Sequence, residues 1–370
     1  MNAIPEPDRL EGVKHPNETS KVFGHDAVTS KFLQTFNKGR LHHAWMLTGP
    51  KGIGKATLAY NIAKFLLIQE ASTDHVSNQE IQKSTLEISN KNPILRRIRA
   101  GSEPGLYVLR RPLDEKTAKL KNVITVDAVR ELRSFFSLST TGNGRRIVIV
   151  DCVDDMNNNA ANALLKLLEE PPKNAVLILV THQPSRILPT IRSRCQKLAC
   201  APLSTTDLQS AFEAALPDVI FDRRFATLAM GSVGRALQLA LNEGIDTYSQ
   251  IVDLCINLPK IDRTKLLKLA NSYNRTAEGK FDQLQVLVNI FLARMALSPF
   301  SQDSNGQAIS GEKEIFARLC PDQFAAHQWA NMQLELSQTV GRSVEANLDP
   351  SSLILDMGFK IEATAAKILN

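Results

Sequence analysis

The fold class predicted by the sequence is an α/β P-loop nucleotide-binding domain on a parallel sheet, followed by helices alone, and three observations predict it. In "LTGPKGIGKATL", Leu47 to Leu58, the residues Gly49 through Lys55 meet the pattern G-x-x-x-x-G-K between a short apolar run and a helical stripe. That is the context a phosphate-binding loop requires. The runs "RRIVIVD" and "NAVLILVT" are continuous, β-rich and apolar, as strands covered on both faces of a parallel sheet must be. Past "CAPLS", which ends at Ser204, the periodicity is helical only.

The elements follow in chain order. "MNAIPEPDRLEGVKHPNETSK" carries prolines and acids and no apolar stretch, so it predicts a flexible arm over 1–21 and neither a secretory signal nor a transit peptide. "HHAWMLTG" reads as a short strand entering the glycine loop, and "KATLAYNIAKFLLIQ" as a helix with helical spacing at Leu58, Ile62, Phe65 and Leu66. Residues 71 to 111 are polar and irregular apart from a helical piece at "PILRRIRAG". Order resumes at "LYVLRR" and at "NVITVDAVRELRSFF", a strand end leading into a helix. After the turn signal "TGNG" comes the strand "RRIVIVD". "MNNNAANALLKLLEEPP" has an asparagine cap, an apolar helical stripe and a stop at Pro171 and Pro172. "NAVLILVT" is the next strand, and strands alternating with helices over about 200 residues imply a doubly wound sheet. "TTDLQSAFEAAL", "RFATLAMGSVGRALQLAL" and "YSQIVDLCINL" are helical, and "FDQLQVLVNIFLARMAL" is apolar around most of its circumference, so protein must cover it on several sides.

At 370 residues, 43% hydrophobic and 22% charged, the chain has the composition of a globular protein of about two or three domains, neither disordered nor fibrous. The apolar run "AVLILV" falls far short of the roughly 20 residues of a membrane helix, so no membrane partner and a cytoplasmic location are expected. Cys152, Cys195, Cys200, Cys255 and Cys320 share no C-x-x-C spacing. They predict reduced thiols, with neither a disulfide framework nor a zinc cluster. The formal charge is +6, and Lys91 to Arg146 concentrates it, with 13 Lys and Arg against 5 Asp and Glu. That segment is either a solvated surface insertion or a face for phosphates.

The candidate nucleotide site begins with Gly49, Pro50, Lys51, Gly52, Ile53, Gly54 and Lys55, opening onto a helix at Ala56 and Thr57. Aligned N–H groups and the helix dipole make such a loop an anion cradle, and Lys55 would reach the outer phosphates of ATP or ADP. Ala56 stands where the full pattern has a magnesium-binding hydroxyl. Thr57 points about 100° further around the helix, so metal affinity should suffer first and magnesium is disfavoured. Asp151 ends its strand, where α/β sheets bind ligands and where an aspartate assists magnesium. Many P-loop ATPases place a glutamate next; here it is Cys152. A thiol with a pKa near 8.5 is mostly neutral at pH 7 and cannot replace a carboxylate base, a role worth about 10²- to 10⁴-fold in rate. Asp154 and Asp155 are read as helix-leading caps rather than replacement bases. Thr181, ending the following strand, is placed to sense a γ-phosphate, and Arg235 in "GSVGRAL" either touches a phosphate or simply starts a helix. Arg192 and Arg194 flank Ser193 in "RILPTIRSRCQKL", and spacing alone reads them as solvated side chains. The losses at 56 and 152 agree: this is the pattern of a site that binds but hardly turns over.

Together, "HHAWMLTGPKGIGK", "NNNAANALLKLLEEPP", "LPTIRSRCQKL" and "GSVGRAL" resemble the bacterial clamp-loader branch of the AAA+ ATPases. The resemblance covers about Val22 to Ala240; beyond it, only length and a closing "NLDPSSLILDM" agree. It implies an AAA+ nucleotide domain over 22–200 with a basic insertion over about 71–122, a small helical lid over 201–244, and an all-α collar over 245–370 that joins a five-subunit ring. It also implies that "SRC" supplies Arg194 as a catalytic arginine finger in trans, acting on ATP held by the adjacent motor subunit. The implied partners are gamma/tau and delta subunits of the loader and, through the complex, the sliding clamp and primed DNA of a bacterial replicative polymerase. The departures at Ala56 and Cys152 resemble the ATPase-deficient member of such rings. Other loader subunits often carry a four-cysteine zinc module between P-loop and Asp151, but no cysteine lies between Lys55 and Asp151 here, so no zinc is expected. Two readings compete: a self-sufficient, gamma-like ATPase in which Thr57 or water replaces the missing ligands, and an independent DNA-binding module using Lys91 to Arg146.

Overall fold

The computed structural model describes residues 6–7, 9–73, 84–86, 92–114, 120–137, 144–273, 280–300, 306–345 and 349–369. The chain forms two compact units, Met1–Asp218 with Gly231–Gly234, and Val219–Met230 with Arg235–Asn370. The helix Thr205–Ala215 belongs to the first unit, and the helical chain from Arg235 on belongs to the second.

The first unit runs α1 (Asp26–Asn37), β1 (Ala44–Thr48), α2 (Lys55–Thr73), α3 (Pro93–Arg99), β2 (Leu106–Leu109), α4 (Val126–Ser137), β3 (Arg146–Asp151), α5 (Asn158–Glu169), β4 (Ala175–Thr181), the single turn α6 (Pro189–Arg192), β5 (Gln196–Ala199) and α7 (Thr205–Ala215). All strand pairs are parallel, in the order β2-β3-β4-β1-β5. The period of two along each strand sends side chains into two cores. Trp45, Leu47, Ile147, Ile149 and Ile178 pack with Phe32 of α1 and Leu58 and Phe65 of α2. Met46, Val148, Val150, Leu177 and Leu179 pack with Leu132 of α4 and Leu164 of α5. Because both faces are covered, β3 and β4 need apolar residues at every interior position, Ile147–Val150 and Val176–Val180, which is the continuous pattern in the sequence.

The expected arm carries contacts on this unit. Glu6 lies 2.7 Å from both Arg110 and His15. Lys64 donates to the Thr19 carbonyl and Asn61 to that of Ser20, each at 3.0 Å. Residues 1–5 and 8 lie outside the described residues.

The second unit is helical: α8 (Arg223–Ala229), the part of α9 (Val233–Leu241) from Arg235 on, α10 (Gly244–Cys255), α11 (Arg263–Ser272), α12 (Lys280–Leu297), α13 (Glu312–Leu319), α14 (Gln323–Glu345) and α15 (Pro350–Leu369). The expected helical stretch "RFATLAMGSVGRALQLAL" is broken between α8 and α9 because Met230 and Gly231 take positive φ angles of 51° and 78°. α12 is long and apolar enough, by composition, to cross a membrane. Here it packs against α10 and α14, with Leu284, Leu287, Phe291, Leu292 and Met295 buried. Within this core Arg294 holds Glu312 by two bonds, Nε to Oε1 at 2.9 Å and Nη2 to Oε2 at 3.0 Å. The Tyr248 hydroxyl and the Ala308 N–H also donate to that carboxylate, so α10, α12 and α13 are tied by a buried charge pair whose polar atoms are engaged.

Candidate functional site

β1 ends at Thr48, and the chain turns through Gly49 at φ +146° and Gly52 at φ +78° into α2. A Cβ on Gly49 would stand 2.3 Å from the Cys200 carbonyl oxygen, and one on Gly52 would stand 2.4 Å from Ser232 Oγ, so neither position admits a side chain without movement. The loop is braced from outside. Ser232 Oγ donates to the Lys51 carbonyl at 3.0 Å, the Gly234 N–H to the Gly52 carbonyl at 2.8 Å, and His25 Nε2 to the Ile53 carbonyl at 2.7 Å. Each bond falls on a carbonyl, so the bracing makes no use of the N–H groups that a cradle turns to an anion. His25 carries no motif of its own and Ser232 belongs to "GSVGRAL", 181 residues from Lys51; only folding brings either to Gly49–Lys55.

Lys55 is 3% exposed. Its Nζ donates to the Gly49 carbonyl at 2.7 Å and to the Pro50 carbonyl, leaving one of three N–H bonds for a phosphate. Burial lowers its pKa from 10.5 to about 8, against the opposing pull of Cys200, Cys152, Asp151 and Asp154. Asp151 ends β3 level with Val180, and Thr181 ends β4 level with Thr48. The predicted loop, Asp151 and Thr181 are therefore gathered at the carboxyl ends of adjacent strands.

The expectation that Asp154 and Asp155 lead the helix is corrected. A 3-10 turn, Val153–Asp155, intervenes between β3 and α5, and the cap of α5 is Asn157, whose side chain accepts from the Ala160 N–H at 2.9 Å. Asp154 instead accepts bonds from the Thr181 hydroxyl at 2.9 Å, the His182 N–H at 2.7 Å, the Gln183 N–H at 3.0 Å and the Cys152 thiol. Asp155 pairs with Arg111 at 3.3 Å. Burial disfavours the Asp154 charge, yet those donors hold its pKa below the usual carboxylate range. An anion so fully engaged is a poor base toward water. Burial, reinforced by the bond to Asp154, pushes the Cys152 thiol up, so it is protonated at neutral pH. Thr181 gives its single hydroxyl proton to Asp154 and in this arrangement turns only lone pairs toward a phosphate.

The glycine positions and Lys55 suit a phosphate. For magnesium the donor set is incomplete: the methyl of Ala56 is no ligand, and Asp151 stands without the hydroxyl of the pattern. Cys152, Asp154 and His182 place ligand atoms within 4.8 Å of one another. A cation there would have to displace the thiol proton and the N–H donors on Asp154.

Arg194 lies at the other end of the sheet. It precedes Gln196, the first residue of β5, which is level with Trp45 near the start of β1. Gly49 stands four residues beyond Trp45, about 13 Å further at ~3.3 Å per residue. Arg194 Nη1 donates to the Thr190 carbonyl at 3.0 Å, and Nη2 pairs with Glu169 Oε1 at 2.9 Å. Glu169 ends α5, and His43 Nε2, 3.1 Å from the Leu168 carbonyl, fixes that helix end beside the start of β1. Arg235 belongs to the second unit, where Nη1 reaches the Ala229 carbonyl at 3.4 Å and burial lowers its pKa. In the basic segment, Arg97 pairs with Glu103, Arg110 with Glu6, Arg111 with Asp155 and Arg130 with Asp127, while Arg146 lies over the Phe135 ring. Lys91, Lys116 and Lys119 fall outside the described residues.

The family model described as "DNA polymerase III, delta subunit" matches residues 24–204. The "DNA polymerase III subunit delta'" of Pseudomonas aeruginosa is 39% identical over 176 residues, covering 48% of this chain and 48% of that protein. Its namesake from Escherichia coli strain K12 is 30% identical over 253 residues, 65% of this chain and 67% of the relative. The DNA polymerase III subunit gamma of Buchnera aphidicola is 31% identical over 193 residues, 52% and 47% of the two chains. The chain thus spans about half the length of the Pseudomonas relative and two thirds of that from Escherichia coli.

Proposed function

Because the chain belongs to the DNA polymerase III delta-prime family, we propose that it is a noncatalytic subunit of the polymerase III clamp loader, helping to place a sliding clamp on primed DNA in the cytoplasm. Its partners in this reading are gamma/tau and delta subunits in a five-membered ring, and its own ATP hydrolysis is weak or absent. Arg194 acts in trans on the ATP of an adjacent subunit.

The observation that carries this reading is the separation of Arg194 from Lys55. An arginine at the amino ends of the strands cannot reach the phosphate loop at their carboxyl ends, and its own exposure suits a neighbour's nucleotide. The hydrolytic side of the home site is weak on three counts: Ala56 has no hydroxyl, Cys152 is a protonated thiol, and Asp154 is engaged by four donors. These same facts speak against the gamma-like ATPase, and the pairing of arginines in the basic segment speaks against the independent DNA module. ATP or ADP in the Gly49 to Lys55 cradle is retained as a binding role without turnover, with little help from magnesium.

The test is reconstitution with gamma and delta subunits, reading clamp- and DNA-stimulated ATP hydrolysis for the wild type and Arg194→Ala. A trans arginine is worth about 10³ to 10⁵ at the site it serves, so the ring should lose the turnover of that one site. Full stimulated hydrolysis by an intact Arg194→Ala ring would refute the assignment. Turnover by the isolated chain at ordinary ATPase rates, abolished by Lys55→Ala, would favour the gamma-like reading.

A further inference from the structure

We infer that Glu169 is a positioning residue for Arg194, holding its half-exposed guanidinium in one orientation for a neighbour's phosphate; the inference rests on the trans role proposed for Arg194. Arg194 follows a one-turn helix and precedes a four-residue edge strand, a setting with little regular structure to fix a long side chain. Two contacts do so. Nη1 is held by the Thr190 carbonyl at 3.0 Å, four residues back in the same turn, and Nη2 by Glu169 Oε1 at 2.9 Å. The second contact crosses from the segment before β5 to α5, which is itself anchored through the His43 contact to the Leu168 carbonyl at 3.1 Å.

An arginine has five N–H donors. With one taken by Thr190 and one by Glu169, three remain for an incoming anion. At 37% and 48% side-chain exposure, the pair sits in solvent, where such an ion pair shifts a conformational equilibrium by only about 1.5- to 5-fold. That is enough to bias a rotamer and too little to prevent the arginine from meeting a phosphate. A carboxylate suits this role because it gives the planar fork a fixed direction, and a phosphate carrying more negative charge can still compete for the remaining donors.

The experiment is a double-mutant cycle in the reconstituted ring, comparing wild type, Glu169→Gln, Arg194→Ala and the double variant, with ring assembly followed by size exclusion. Glu169→Gln should lower kcat of the stimulated hydrolysis by about 2- to 5-fold with KM for ATP unchanged. In the Arg194→Ala background the same substitution should have no further effect, because its partner is gone. Glu169→Ala should behave as Glu169→Gln does, and Glu169→Asp should restore part of the loss. A Glu169→Gln ring with full or raised kcat, beside an impaired Arg194→Ala ring, would overturn this inference and leave the trans role standing. So would a loss of equal size in the Arg194→Ala background, which marks a structural effect unrelated to the arginine. An unimpaired Arg194→Ala ring would remove the trans role itself, and the inference with it.

Discussion

Raising the pH from 7 to 9.5 should weaken nucleotide binding to the isolated chain, and Lys55 sets the size of the effect. Its ammonium is buried and its pKa is lowered from 10.5 to about 8. A bound phosphate next to Nζ favours the charged form and returns the pKa at least to its ordinary value. Below pH 8 the lysine is charged in both states and affinity is flat. Between 8 and 10.5 the free protein has lost the proton that the complex retains, so each pH unit costs close to tenfold in affinity. From pH 7 to 9.5 the two titrations together give roughly 30-fold, or about 2 kcal/mol. The nearby thiols add little in this range: burial pushes Cys152 up, and burial, partly offset by Lys55, raises Cys200 to about 11. The assay is isothermal titration with ADP at pH 7, 8, 9 and 9.5, repeated with Lys55→Met, whose affinity should be weak and independent of pH. Adding magnesium or EDTA should shift the wild-type constant by less than about threefold, since Ala56 supplies no ligand. Wild-type binding that stays constant from pH 7 to 9.5 would refute the argument, because Lys55 would then not be the phosphate's partner.

Two further outcomes follow from the charge pairs. Glu312→Gln leaves Arg294 buried at 7% exposure without its countercharge, and should destabilise the protein by about 3–5 kcal/mol in urea denaturation; a loss below about 1 kcal/mol would show that the pair is solvated in solution. Asp154→Ala removes the acceptor of two backbone N–H groups and the Thr181 hydroxyl and should destabilise by about 2–4 kcal/mol, with basal ATP hydrolysis unchanged; unchanged stability with reduced hydrolysis would instead make Asp154 the missing base.

How much of this was legible in the sequence depends on whether a residue's role is local. The strands β3 and β4 were legible because cover on both faces demands an unbroken apolar run, and the loop because a strand, glycines and a helix occur in succession. β5 was not: of Gln196, Lys197, Leu198 and Ala199 only Leu198 is buried, so an edge strand leaves almost no apolar signature. Lys55 was legible as the lysine of the loop pattern, while its depressed pKa was not, since its burial is a product of the fold. The cap reading of Asp154 fails because Asp154 lies inside a three-residue turn, Val153–Asp155, that ends short of the helix start, and a turn of that length has no sequence signal. Its partners at the end of β4 and just past it, Thr181, His182 and Gln183, lie 27 to 29 residues away. Glu169 was visible only as the end of "ALLKLLEE", and its partnership with Arg194 depends on where α5 delivers its last residue.

The arrangement explains why losing the hydrolytic groups is compatible with keeping the loop. In a self-sufficient ATPase the hydroxyl, the water-orienting acid and the lysine serve one reaction, and removing any of them removes the function. Here Lys55 also closes its own loop through the Gly49 and Pro50 carbonyls, and Ser232, Gly234 and His25 clamp the outer side, so the loop is a packed joint between β1 and α2 whatever it binds. Replacing the hydroxyl by the methyl of Ala56 and the acid by Cys152 alters neither these bonds nor the cores beneath them. Arg194 and Glu169 are fixed by α5, α6 and the start of β5, at the opposite ends of the strands, and groups so separated contribute nearly independently. In the proposed role, with Arg194 acting from the amino ends of the strands, such a subunit can therefore tolerate a silent site at the carboxyl ends, provided the loop that joins β1 to α2 stays folded.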